Sequence, residues 1–317
     1  MKKVFQIYVF GEILWDLLPS GKKLGGAPAN FAYHANILGG QAWVKSRIGN
    51  DSFGAEVQSI LASHNISLDF VEIDPVLPTG TVVVHLNENG QPSYEIVENV
   101  AWDNIQSDNK FLADLKNADA FYFGSLAARS ENNLRILLSL LNSLPEKSLK
   151  VFDLNLRNPF YSKEIIRQLL KKTTVFKLND EELLILAEMF ADEIPTTLSI
   201  CDSLFTQNSL NLLETKVIEW IRAFIQYYQL KHLILTCGSS GSFLWDSQGN
   251  SSFAPAEKVN IIDTVGAGDS FTAVCVLGLL KNIPLDKINR NANRYASFIC
   301  SQSGAMPTVP NQFLDFE

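Results

Sequence analysis

Ala118-Asp-Ala-Phe-Tyr-Phe123, Leu149-Lys-Val-Phe-Asp-Leu154 and Val175-Phe-Lys-Leu178 are short, mostly apolar runs, separated by the helical patterns Asn132 to Leu144 and Lys163 to Lys171. Apolar strands alternating with amphipathic helices predict a mainly parallel sheet covered by helices on both faces. Working outward, Leu233 to Leu235 adds a strand, and Val4 to Phe10, ending at Gly11, reads as a buried first strand. A turn at Gly25 and Gly26 leads into Asn30 to Leu38, where Phe31, Ala35 and Leu38 fall at helical spacing. The expectation is a three-layer α/β fold whose ligands sit beyond the carboxyl ends of the strands.

One region departs from that alternation. Thr79 to Leu86 and Pro92 to Val97 read as strands joined by a turn at 87–91, which makes a β-hairpin. It is expected to project as a lid, the alternative being an antiparallel edge of the main sheet. With no internal repeat or linker in 317 residues, one domain spanning 1–317 plus a lid is predicted.

Composition removes several classes of function. The net charge is -8, and Lys and Arg are scattered without a basic run, which argues against a nucleic-acid partner. No apolar run is long enough for a bilayer, and Glu12 and Asp16 interrupt a signal-like start, so a cytoplasmic protein is expected. Cys201, Cys237, Cys275 and Cys300 are far apart with no CxxC pair, which suggests reduced thiols and no zinc site.

The sharpest chemical signal is Asp263-Thr-Val-Gly-Ala-Gly-Asp269, followed at once by the nearly all-apolar Ser270 to Leu280. A buried helix starting there would aim the N–H groups around Gly266, Ala267 and Gly268 at an anion, with the macrodipole adding to the attraction. A lone Asp before a helix reads better as a simple N-cap, but a cap needs no Gly-Ala-Gly cradle in front of it. As a base Asp269 would accept the proton of an attacking hydroxyl. A second constellation, Gly25-Gly26-Ala-Pro-Ala-Asn30, presents an amide that can donate to and accept from sugar hydroxyls, and Asp16 follows the first strand.

These two pieces, in this order, resemble the two signatures of the ribokinase-like carbohydrate kinases, the PfkB family. The likeness spans nearly the whole chain, with Gly39 and Gly49 in step behind the first signature and Ala273 behind the second. Asp153-Leu-Asn-Leu-Arg157, Asn179-Asp-Glu-Glu182, Thr236-Cys-Gly-Ser-Ser-Gly241 and Ser303-Gly-Ala305 resemble further family motifs. Val274 departs from the small residue usual in the family and predicts altered packing behind the loop.

The resemblance implies a ribokinase-like fold, with a β lid from about 12–24 and 79–103, that phosphorylates a sugar with ATP and Mg²⁺. Asp269 would be the base, Gly266 to Gly268 the anion hole, and Arg157 a contact to the transferring phosphate. Asp16, Gly25, Gly26 and Asn30 would bind the sugar; Thr236, Gly238, Gly241 and Asn293 would form the nucleotide pocket. Asn179 and Glu182 would hold the water shell of Mg²⁺. Asp263, with carbonyls near Ser303 and Gly304, would hold a monovalent cation such as K⁺, and a homodimer would form through the lids. Gly11-Glu-Ile-Leu-Trp-Asp16, Pro28 and Ala101-Trp-Asp103 resemble bacterial fructokinases most, implying D-fructose, with ribose and 2-keto-3-deoxygluconate as competitors. A non-catalytic sugar-binding regulator of the same fold is the alternative of another class. The absence of GxGxxG after the first strand and of GxxxxGK[ST] argues against a dehydrogenase and a P-loop kinase.

Overall fold

The computed structural model describes residues 3–18, 21–86, 92–194, 204–206 and 209–314; the predicted turn at 87–91 and Cys201 lie outside them. The chain begins with β1 (Gln6–Phe10), then the antiparallel pair β2 (Leu14–Leu18) and β3 (Gly21–Gly25), which runs into α1 (Ala27–Ile37). β4 (Gln41–Gly49), α2 (Ser52–Ser63) and β5 (Val71–Asp74) follow, and then β6 (Gly80–Leu86) and β7 (Pro92–Ile96). α3 (Asn109–Asp114) leads to β8 (Ala120–Gly124), α4 (Glu131–Ser143), β9 (Leu149–Asp153), α5 (Lys163–Leu170), β10 (Val175–Asn179) and α6 (Asp180–Met189). The ribbon β11 (Phe205–Thr206) and β12 (Ser209–Leu213) precedes α7 (Thr215–Tyr228), β13 (His232–Thr236), β14 (Ser242–Asp246) and β15 (Ser251–Ala254). α8 (Ala267–Leu280) and α9 (Leu285–Cys300) complete the layers.

The nine-stranded sheet runs β15-β14-β13-β10-β9-β8-β1-β4-β5. Strands from β13 to β5 pair in parallel, and only β14 and β15 at one edge are antiparallel. Successive side chains of a strand face opposite ways. Tyr8, Phe10, Phe121, Phe123, Phe152 and Phe176 accordingly pack with α4 to α7, while Ile7, Val9, Tyr122, Val151 and Val175 pack with α1, α8 and α9. α8 is buried over Ser270 to Gly278, as its apolar sequence requires, and Val274 lies wholly inside this second core.

The hairpin is no edge of the main sheet. β6 and β7 join β2 and β3 in a separate four-stranded sheet, order β3-β2-β6-β7, in which β2 and β6 are parallel. Asp16 stands within β2 of this small sheet. Trp102 is fully buried beneath this small sheet, and a Cβ on Gly80 would come within 2.2 Å of its indole nitrogen. Beside it, Arg129 Nε donates to Asp103 Oδ1 at 2.7 Å. Ala101-Trp-Asp103 thus builds the floor of the small sheet.

Candidate active site

The chain leaves β1 for β4 on one side and returns on the other with β8, so the strand order reverses at β1. The crevice beyond the carboxyl ends at such a reversal is where open α/β sheets bind ligands. Asp153, Asn179 and Thr236 close β9, β10 and β13 at those ends, and Lys177 lies two residues before Asn179 on β10.

The first turn of α8 faces the same edge. Its N-cap, Gly266, is left-handed (φ 78°), and a Cβ there would come within 2.6 Å of the Ala305 Cβ. Ala305 is held in turn by buried His34, whose Nε2–H donates to the Ala305 carbonyl at 2.9 Å. No side chain caps the helix, and the N–H groups of Gly268 and Asp269 have no backbone acceptor. Such unsatisfied amides at a helix start form an anion site.

Asp269 sits partly buried in this turn, and Asn30 Nδ2 donates to its Oδ2 at 2.8 Å. Burial, and then the negative charge of Asp153, push its carboxyl up to about 6, while Asn30, Lys177 and Arg157 pull the other way. Asn30 itself is 3% exposed and its Oδ1 has no partner, so one end of the amide aims the carboxylate and the other is open. Glu12, just beyond β1, is buried with Oε2 unpartnered, and burial pushes its carboxyl up to about 7. A Cβ on Gly25 would lie 2.5 Å from Asp16 Oδ2, and one on Gly26 (φ 107°) 2.4 Å from the Glu12 carbonyl. Both glycines are thus required by close approach.

Behind α8 lies a buried polar group. Asp153 and Lys177 are register partners on parallel strands, and Lys177 Nζ is 3.0 Å from Asp153 Oδ1. Asp153 Oδ2 accepts from Thr272 Oγ1 at 3.0 Å and from the Tyr122 hydroxyl at 3.3 Å. A Cβ on Gly268 would stand 3.3 Å from Lys177 Nζ, which places the ammonium directly against the anion loop. Although burial disfavours its charge, Asp153 and Glu182 more than compensate and hold the Lys177 ammonium above its ordinary range.

The pfkB family carbohydrate kinase model matches residues 20–312 of this chain. The protein belongs to that family. As a pfkB carbohydrate kinase it is a phosphotransferase with an alcohol acceptor. It is 27% identical to probable fructokinase-4 of Arabidopsis thaliana (96% of this chain, 94% of the relative) and 26% identical to the fructokinase of Escherichia coli (96% of each). The fold is that of the Vibrio cholerae fructokinase solved with fructose, ADP and potassium, with a TM-score of 0.75, 24% identity, and coverage of 98% of this chain and 97% of that one.

Farther along the same sheet edge, Asn179 and Thr236 are register neighbours on β10 and β13. Asn179 caps α6: its Oδ1 accepts the Glu182 N–H at 2.7 Å, and Glu182 Oε2 accepts the Asn179 N–H at 2.8 Å. Glu182 Oε1 also accepts the Leu156 N–H at 2.8 Å, so this 5% exposed carboxylate ties α6 to the segment carrying Arg157. Both its oxygens are engaged, which fits a contact to metal-bound water better than direct ligation. Arg157 is exposed, donates to its neighbour's carbonyl, Leu156 O, and forms no ion pair among the described residues. A Cβ on Gly241 (φ 105°) would fall 2.1 Å from the Ala254 carbonyl, whereas the surroundings of Gly238 (φ 51°) are open. Asn293 does not face solvent. It is buried, and its Nδ2 donates to Ser242 Oγ at 2.6 Å and to Asn289 O at 2.9 Å.

The structure thus brings together Asp269, Asn30 and the Gly266 to Gly268 loop, and separately Asn179, Glu182 and Thr236. It also joins Asp263 to Gly304, whose N–H donates to Asp263 Oδ2 at 3.1 Å. Sequence reasoning missed Lys177, Glu12, Tyr122, Thr272 and Lys23. Lys177 had a signal, as the one charge in the otherwise apolar run Val175 to Leu178.

Proposed function

We propose that this kinase transfers the γ-phosphate of ATP to a hydroxyl of D-fructose, giving fructose 6-phosphate and ADP. The observation that carries the reading is Asp269 at an uncapped helix start, aimed by Asn30 and flanked by free amides. The fructose hydroxyl oxygen attacks the γ-phosphorus while its proton passes to Asp269, and the bond from phosphorus to the β,γ-bridging oxygen breaks, leaving that oxygen on ADP. A carboxylate with a pKa near 6 is ionised at neutral pH and is a stronger base than an ordinary aspartate. The amides of Gly268 and Asp269, with Lys177 behind them, stabilise charge spread over the transferring group, and exposed Arg157 reaches it from the other side.

Asp16, the open Oδ1 of Asn30 and the backbone of Gly25 and Gly26 hold the sugar. Burial raises the Asp16 carboxyl, while Arg157 and Lys23 oppose that shift. Thr236, Gly238 and Gly241 border the nucleotide, and Asn293 shapes its pocket from beneath through Ser242. Mg²⁺, entering with ATP, would neutralise phosphate charge while Asn179 and Glu182 order its water. The small sheet acts as the lid that excludes water, and pairing of two lids would make a homodimer, which sedimentation tests. The choice of fructose is supported by relatives named fructokinase and by the V. cholerae protein's bound fructose. A panel of fructose, ribose and 2-keto-3-deoxygluconate with an ADP readout tests it: fructose should be turned over best, and turnover of ribose without fructose would overturn it.

A further inference from the structure

The family resemblance puts a monovalent cation at Asp263, and the V. cholerae fructokinase was solved with potassium. The surroundings of Asp263 in this chain do not suit such an ion. Lys23 Nζ lies 2.7 Å from Asp263 Oδ2, the same oxygen that accepts the Gly304 N–H, while Oδ1 accepts the Val265 N–H at 3.1 Å. A cation needs converging oxygen lone pairs, yet three proton donors converge on this carboxylate and one already brings a full positive charge. The bond joins two distant parts of the molecule. Lys23 belongs to β3, opposite Asp16 in the antiparallel register, and Asp263 begins the bend that ends at the anion loop.

We propose that the Lys23 ammonium replaces the diffusible monovalent cation, pinning the 263–266 bend so that turnover needs no potassium. The inference rests on the kinase reading but not on which sugar is used. Its test measures ADP formation with the best sugar of the panel in buffer free of K⁺, Na⁺ and NH₄⁺, before and after K⁺ is added. Wild-type turnover should change by less than about twofold, a difference well under the 1.4 kcal/mol of a tenfold effect. Lys23→Met should lose about tenfold or more without K⁺ and recover with it, while Lys23→Arg stays independent of K⁺. Several-fold stimulation of the wild type, full activity of Lys23→Met without K⁺, or a loss that K⁺ does not restore would each overturn the proposal. Thallium soaks read the site without any turnover. Anomalous density should appear beside Asp263 in Lys23→Met and be missing in the wild type, and wild-type density there would sink the idea. If no sugar is phosphorylated, the function reading fails while the thallium result still decides the role of Lys23.

Discussion

Glu182 and Asp269 occupy the same place in two helices, three residues after the N-cap, yet their fates differ because their caps differ. In α6 the cap is Asn179, and Glu182 reaches back to close a reciprocal box with both oxygens on backbone amides. In α8 the cap is Gly266, which has no side chain to offer, and Asp269 is held by a single amide from a remote helix. A carboxylate saturated by backbone donors positions the chain. One left short of partners beside open amides is free for chemistry.

The hardest test of that contrast is Asp269→Asn, which should lower kcat by roughly 10²–10⁴-fold while leaving the fold intact. Near-normal turnover would erase the distinction. Because burial raises the Asp269 pKa, its charge opposes folding at neutral pH, so the same variant should gain on the order of 1–3 kcal/mol and melt a few degrees higher. Asn30→Ala should cost about tenfold in kcat/KM and, by removing a hydrogen bond that favours the carboxylate, move the acidic limb of the pH profile above its wild-type position near 6. An unmoved limb would show that some other group titrates there. Glu182→Ala should act mainly through stability, lowering it by about 2–3 kcal/mol as two buried amides lose their acceptor, with a smaller loss of turnover from the Mg²⁺-bound water it orders. A full-sized loss of turnover with unchanged melting would reverse the assignment.

Glu12 tests the contrast through stability alone. Its raised pKa means that the stability cost of its charge builds as pH rises from about 4.5 to about 7, is fully present above that, and fades again as pH falls back toward 4.5. Glu12→Gln should therefore be more stable than wild type by about 1–3 kcal/mol at pH 8, with the gap closing toward pH 5. Melting curves across that range decide it, and a gap that widens in acid would contradict the assignment.

The sheet was legible wherever strands were apolar throughout: β8, β9 and β10 and the helices between them lie within two residues of the sequence reading. β4 carries no such signal, because Lys45, Ser46 and Arg47 interrupt its apolar pattern. Lys45 is nonetheless buried and paired with Glu72, and Arg47 with Asp74 on the neighbouring strand β5. The glycines near Asp269 and Asn30 were legible because close backbone approach demands that residue type. Lys177 could not be placed the same way, since its partner Asp153 comes from strand register, 24 positions away, and no local pattern encodes register between parallel strands. Glu12 looked like an ordinary charge after a strand, and only its depth marks it out.

Asn30 and Asp269 are 239 positions apart. A ribosome-bound chain that has already built β1 and α1 still lacks the residue that its amide is waiting to orient, and a fragment ending before α8 has no proton acceptor at all. On the role proposed for Asp269, the pair that aligns the base is complete only once α8 has been made.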